Sequence, residues 1–196
     1  MINYIYILPE IILVTSLSAI IIIDLFLAPN RKFISYYLIQ LLLFSSIYFI
    51  YTNLQYLSSN TSAIYETNNF SNFFKMFILL SLVIIFYYTY EFLRKFNLYK
   101  TEYFIISLFG TLGMMIMISS NHLLLLYLGI ELLSLSLYSV IAFNKNSIYS
   151  SEAAVKYYIL GAMSSGFLLF GISLIYGLTG SLLYDEIYQQ ISLLNL

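Results

Sequence analysis

The chain has 196 residues, of which 61% are hydrophobic and 9% charged, and its net charge is -1. A domain folded in water carries roughly 25% charged residues, so this composition excludes an ordinary soluble surface and fits lipid as solvent; the mean hydropathy of +0.89 agrees. Cysteine is absent and His122 is the one histidine, which excludes disulfides, thiolate-held clusters and a cysteine nucleophile and argues against a histidine-rich metal or haem site.

A net charge so near zero offers no basic patch for nucleic acid. Twenty-one Tyr and sixteen Phe, with abundant Ile and Asn, point to an AT-rich genome, of which an organellar genome is one source. The start, Met1-Ile2-Asn3-Tyr4, has neither a basic n-region nor an Arg-rich amphipathic stretch. It therefore reads as the approach to a permanent span, not as a cleaved signal or transit peptide.

Six apolar runs follow, each near the ~20 residues a helix needs to cross a bilayer core. They are Ile5–Ala28, Phe33–Tyr51, Phe74–Leu93, Glu102–Ser119, His122–Phe143 and Glu152–Leu178. Backbone polar groups cannot stay unpaired in hydrocarbon, so continuous runs of this kind predict helices. The expected fold is all-α: a polytopic membrane protein with residues 1–180 as the transmembrane region and residues 181–196 as a tail. Pro29-Asn30-Arg31-Lys32 ends the first run, residues 53–72 form a polar loop with Asn-x-Ser sequons at Asn60 and Asn69, and Asn121 is placed to cap the fifth helix. In the tail, Leu183, Ile187, Ile191 and Leu194 share one helical face, away from Asp185, Glu186, Gln189 and Gln190, the pattern of an interfacial helix.

Basic residues give the orientation. The first, third and fifth loops hold Arg31, Lys32, Arg94, Lys95, Lys100 and Lys145, whereas the opposite side holds only Lys75, at a span edge. The basic side is expected to face the cytoplasm or the mitochondrial matrix, with both termini across the membrane.

Ionisable residues inside the bilayer carry the functional reading. Glu131 lies about ten residues into the fifth span, roughly 15 Å deep, and Tyr127, Glu131, Ser134 and Tyr138 form one polar stripe on a helix otherwise rich in Leu. A mid-membrane charge costs from about 2.5 kcal/mol upward and by default marks a proton or ion path. Lys156 stands near the basic-side start of the sixth span, four residues after Glu152. That spacing suits an ordinary surface ion pair as well as proton transfer, and a direct bond from Lys156 to Glu131 requires a tilted helix or a bridging water. Glu10 and Asp24 share a face of the first span near its two ends and read as interfacial. His122 opens the fifth helix, where capping or solvation is the simpler role. Gly161, Ala162, Ser164, Ser165, Gly166 and Gly171 on the sixth span, and Gly110 and Gly113 on the fourth, read as packing surfaces for neighbouring helices.

The stretches GTLGMMIMISSNHLLLLYLGIELLSLSLYSVIAF and SSEAAVKYYILGAMSSGFLLFGISLIYGLTG resemble the antiporter-like subunit 2 of NADH dehydrogenase (respiratory complex I), called subunit N in bacteria. The opening LPEIILVTSLSAIIIIDLF is similar to that family's first helix. The resemblance implies a part in proton translocation coupled to NADH:ubiquinone oxidoreduction. It implies Glu131 and Lys156 as proton-transfer residues; His122, Glu152, Tyr127 and Ser134, read from their positions, are lesser candidates. No redox chemistry or cofactor is expected in this chain; flavin and iron–sulfur clusters belong to partner subunits. Family members are longer and contain two inverted repeats, so a companion chain completing a split subunit is expected, alongside other membrane-arm subunits and lipids. The expected location is the mitochondrial inner membrane, with the bacterial plasma membrane as the alternative. A stand-alone cation/proton antiporter component and a purely structural membrane scaffold remain as rival readings.

Overall fold

The computed structural model describes residues 7–27, 33–54, 60–61, 64–96 and 100–193. The first-span start at Ile5, the Arg31–Lys32 pair and Leu194 of the tail lie outside them. Among the described residues, six helices are long and apolar enough to cross a membrane: α1 (Leu8–Phe26), α2 (Phe33–Leu54), α3 (Asn69–Lys95), α4 (Thr101–Ile118), α5 (Leu123–Ile141) and α6 (Ile148–Thr179). A short α7 (Tyr184–Leu193) follows, and a two-residue hairpin, β1 (Asn60–Thr61) and β2 (Glu66–Thr67), precedes α3.

Helix ends are set by local chemistry that hydropathy does not register. Pro9 stands in the first turn of α1, where its missing N–H costs nothing. The third helix starts at Asn69, five residues before its expected apolar run, because the Ser71 hydroxyl accepts from the Asn68 N–H at 2.8 Å and satisfies a donor there. Ser147 caps α6 in the reciprocal sense, its hydroxyl as N-cap accepting from the Ser150 N–H at 3.4 Å, so this helix also starts before its expected apolar run. Gly180, with φ of 69°, ends α6 in the left-handed conformation that a glycine adopts without steric cost.

The buried core belongs to α1–α4. Glu10, Leu13, Leu17 and Ile20 form the inward stripe of α1, and Ile39 and Leu43 of α2, Leu79 and Phe86 of α3, and Phe104, Leu108 and Met115 of α4 meet them. Tyr36 stacks on Tyr90 at 4.2 Å between centroids and meets Phe104 edge-on at 5.3 Å, which ties α2, α3 and α4 together near the basic end. Beyond this core the helices form a row: α5 lies closely on α4, and α6 lies on α5. Ile172 is the one fully buried residue of α6, so most of that helix faces outward.

The α4–α5 contact is backbone against backbone. A Cβ on Gly113 would stand 2.7 Å from the Gly129 carbonyl oxygen, and one on Gly129 would stand 2.5 Å from Met117 Cγ. These two glycines fix how deeply α5 settles, two residues before Glu131.

At the end of the molecule where α5 begins, three extended segments lie side by side. The Glu66 N–H donates to the Ser119 carbonyl at 2.8 Å and the Asn121 N–H to the Ile64 carbonyl at 2.9 Å. On the other side, the Leu123 N–H donates to the Leu182 carbonyl at 3.0 Å and the Tyr184 N–H to the Asn121 carbonyl at 3.3 Å. The α4–α5 turn is thus clasped between the segment before α3 and the segment before α7.

Candidate functional site

Glu131 lies near the middle of α5, half-buried, and its carboxylate turns toward α6. Ser165 Oγ donates to Glu131 Oε2 at 2.7 Å. The carboxylate is therefore held in the seam between two helices by a hydroxyl. Beside it is a cleft of about 330 Å³ lined by Ser134, Tyr138, Ser164 and Ser165 together with Ile130, Tyr157, Leu160, Gly161 and Leu168. Five hydroxyl-bearing residues, Tyr157 included, line it, an arrangement able to hold water and to relay a proton.

The seam has a simple origin in the sequence. Ala154, Gly161, Ser165 and Ile172 are less exposed than their neighbours on α6, at spacings that trace one helical face. Gly161 is the point of closest approach: the Tyr138 hydroxyl occupies the space a Cβ would need. The Tyr138 ring then meets Tyr157 and Tyr158 edge-on at 5.2 and 5.7 Å. Ser134 donates to the Ile130 carbonyl at 2.8 Å, a local bond that leaves its oxygen toward the cleft.

Lys156 is elsewhere. Its Nζ lies 2.5 Å from Glu152 Oε1, with side-chain exposures of 70% and 54%. Lys156 precedes Ser165 by nine residues, two and a half turns, which puts the two on opposite faces of α6. The obstacle to a direct Lys156–Glu131 bond is therefore helical face, not depth alone, and tilting the helix does not remove it. Tyr127, one turn before Glu131, is half-buried and does not line the cleft.

His122 is the N-cap of α5, where its Nδ1 accepts from the Leu124 N–H at 3.2 Å. Asn121 was the expected cap, and this is corrected. Its backbone N–H and carbonyl are consumed by the two flanking segments, and its side-chain amide donates to Asp185 Oδ2 at 3.3 Å.

A larger correction concerns Glu10 and Lys75. Both were read as membrane-edge charges, yet Lys75 Nζ lies 2.7 Å from Glu10 Oε1, with side-chain exposures of 0% and 6%. Lys75 also donates to the Tyr65 hydroxyl at 2.9 Å. Burial, and then the charge of Glu10, push the Tyr65 phenol well above its usual range, so its hydroxyl stays protonated. The pairing was invisible in the sequence because the partners are far apart in the chain. The signal that pointed to it was a lysine inside an aromatic, apolar helix, FSNFFKMFILL, with no acid a turn away. Asp24, at the other end of the α1 stripe, accepts from Ser35 Oγ at 2.6 Å, so it too has a helix partner. Among the described residues, no group of three or more His, Cys, Asp or Glu side chains is placed to hold a metal ion.

Residues 120–195 match the family described as NADH:quinone oxidoreductase/Mrp antiporter, transmembrane. NADH-quinone oxidoreductase subunit N of Thioalkalivibrio sulfidiphilus is 41% identical over 189 residues, covering 94% of this chain and 39% of that protein. The subunit N of Ruthia magnifica is 41% identical over 192 residues, covering 96% of this chain and 39% of its own length. Among solved structures, a chain of respiratory complex I from Thermus thermophilus superposes with a TM-score of 0.72 at 26% identity, over 89% of this chain and 38% of that one. A chain of an archaeal membrane-bound sulfane sulfur reductase shares the fold with a TM-score of 0.72 at 18% identity, over 94% of this chain and 39% of its own. The chain spans about two-fifths of the length of these relatives. With a carboxylate held in a helix seam and six apolar spans, this chain is similar along nearly its whole length to the antiporter-like membrane subunits represented by NADH-quinone oxidoreductase subunit N.

Proposed function

We propose that this chain supplies part of a proton-translocating subunit of NADH:quinone oxidoreductase, and that Glu131 is the group that takes up and releases the proton. The observation that carries the proposal is the position of the Glu131 carboxylate: mid-helix, turned toward α6, bonded to Ser165 and beside a hydroxyl-lined cleft. An ionisable side chain inside a bilayer by default marks a proton path, and the hydroxyls beside this one supply a route for the proton when charge or hydration nearby changes. Redox chemistry elsewhere in the complex supplies that change, and this chain itself carries no redox step.

Lys156 acts as a second proton-transfer group on the outward face of α6, toward whatever covers that face, with Glu152 as its partner when unloaded. His122 and Tyr127 serve the start of α5, and Ser134 the cleft. The tail helix α7 lies in the interface. The partners are other membrane-arm subunits, the part of the relatives' length that this chain does not span, and lipid. Flavin and iron–sulfur centres reside in those partners. The basic loops face the cytoplasm or matrix. The bacterial relatives support a plasma membrane, while the mitochondrial inner membrane rests on composition alone.

The test is Glu131→Gln in the assembled complex in proteoliposomes. Glutamine keeps an acceptor for Ser165, so assembly is expected to be intact while NADH-driven proton pumping is lost. Normal pumping in that variant would falsify the proposal and leave the scaffold reading in place. The family description also covers Mrp antiporters, which supports a second reading as a stand-alone antiporter component. Purification separates the two, since only the first requires co-migration with flavin and iron–sulfur proteins.

A further inference from the structure

The buried charges that the proton path does not use are those of Glu10 and Lys75. A lysine with no exposed side-chain area cannot reach the headgroups, as lysines near helix ends do. Lys75 is instead held by two residues. Glu10 of α1 lies 2.7 Å away, the Tyr65 hydroxyl accepts at 2.9 Å, and the Tyr65 ring centroid is 5.1 Å from Nζ. Tyr65 is also the residue whose backbone faces Ser120 in the α4–α5 turn, flanked by the two hydrogen bonds from Glu66 to Ser119 and from Asn121 to Ile64. One tyrosine therefore joins a buried ion pair, through its side chain, to the turn that starts α5, through its backbone.

We infer that Glu10, Lys75 and Tyr65 are positioning residues: a charged lock beneath the extended layer that fixes the α4–α5 turn and so sets the depth of the helix carrying Glu131. The inference rests on the proposed role of Glu131 for its functional half only. The ion pair anchors α1 to α3, and the Tyr65 hydroxyl carries that anchorage to the turn. From there α5 runs as a rigid rod to Glu131, eight residues beyond its first residue, about 12 Å along the axis. A buried pair tolerates removal of both charges far better than removal of one, because a single removal strands a charge in the interior. Position and stability can be separated on that ground.

The experiment uses the assembled complex, with amide hydrogen exchange at Glu66, Asn121 and Leu123 and with proton pumping per NADH oxidised. Lys75→Met alone is expected to impair assembly. Tyr65→Phe keeps the ion pair and the ring and removes only the link. Glu10→Gln with Lys75→Met removes both charges. Both of these variants are expected to assemble, to exchange at least tenfold faster at Glu66 and Asn121, and to pump fewer protons per NADH. Unchanged exchange in both overturns the lock. Faster exchange with unchanged pumping overturns its positioning role. The exchange result does not depend on Glu131, so a failure of the Glu131 proposal shows as normal pumping in Glu131→Gln whatever the turn does.

Discussion

At Gly113 and Gly129 the smallest side chain is required for a steric reason. The atoms a Cβ would meet are mainly backbone, at 2.7 and 2.9 Å for Gly113 and at 2.9 and 3.1 Å, beyond the Met117 side chain, for Gly129. Backbone cannot rotate aside as a side chain can, so Gly113→Ala or Gly129→Ala is expected to force α4 and α5 apart, at a cost of about 1–3 kcal/mol each. A lower Tm or a lower yield of assembled complex measures it, and a variant as stable as the parent would refute the argument. At this scale the candidate site was half legible. Glu131 announces itself, because a carboxylate among leucines has few explanations. Ser165 does not, and Tyr138 shows only as a member of the polar stripe, since a serine in a small-residue run and a tyrosine among twenty-one carry no sign of what they touch. Glu10 and Lys75 were legible as charges and illegible as a pair, because pairing is a property of the tertiary arrangement.

Helices as units were read from hydropathy, and the spans fall where an apolar run of the right length demands a helix. What hydropathy misses is where polar capping overrides it, as Ser71 does at the head of α3 and Ser147 at the head of α6. It also misses which face of a helix meets which neighbour. The sixth helix shows the consequence. Its small residues had one common reading as a packing surface, yet the structure divides them: Gly161 and Ser165 meet α5, while Gly166 and Gly171 meet nothing within 4 Å. Gly161→Ala is expected to push the Tyr138 ring out of the seam and loosen α6 from α5, moving Ser165 away from Glu131. Adding Tyr138→Leu makes room for the new methyl group and is expected to recover most of the loss. The measurement is protease sensitivity of the loop at residues 142–147 with pumping alongside it. A double variant no better than the single one would show that the contact is not what sets the seam.

Across the whole molecule, apolar surface is unevenly covered. The α1–α4 core is closed on itself, whereas α6 presents Leu160, Met163, Phe167, Phe170, Leu174 and Leu178 outward. In a bilayer, lipid satisfies such surface as well as protein does, so exposure alone decides nothing. Two features favour protein. Gly166 and Gly171 leave open space, which permits a helix backbone to approach closely, and Lys156 and Glu152 stand on an outward face of the same helix, where bare hydrocarbon is a poor solvent for charge. The relatives are also more than twice as long as the part matched here, and under the proposed function the remainder covers this face. A photo-crosslinking amino acid placed at Phe167 or Leu174 in the assembled complex is therefore expected to yield protein adducts, and one at Met163, a turn nearer Lys156, to do the same. Lipid adducts alone at all three positions would mean that α6 ends the module and that Lys156 has no protein partner to pass a proton to.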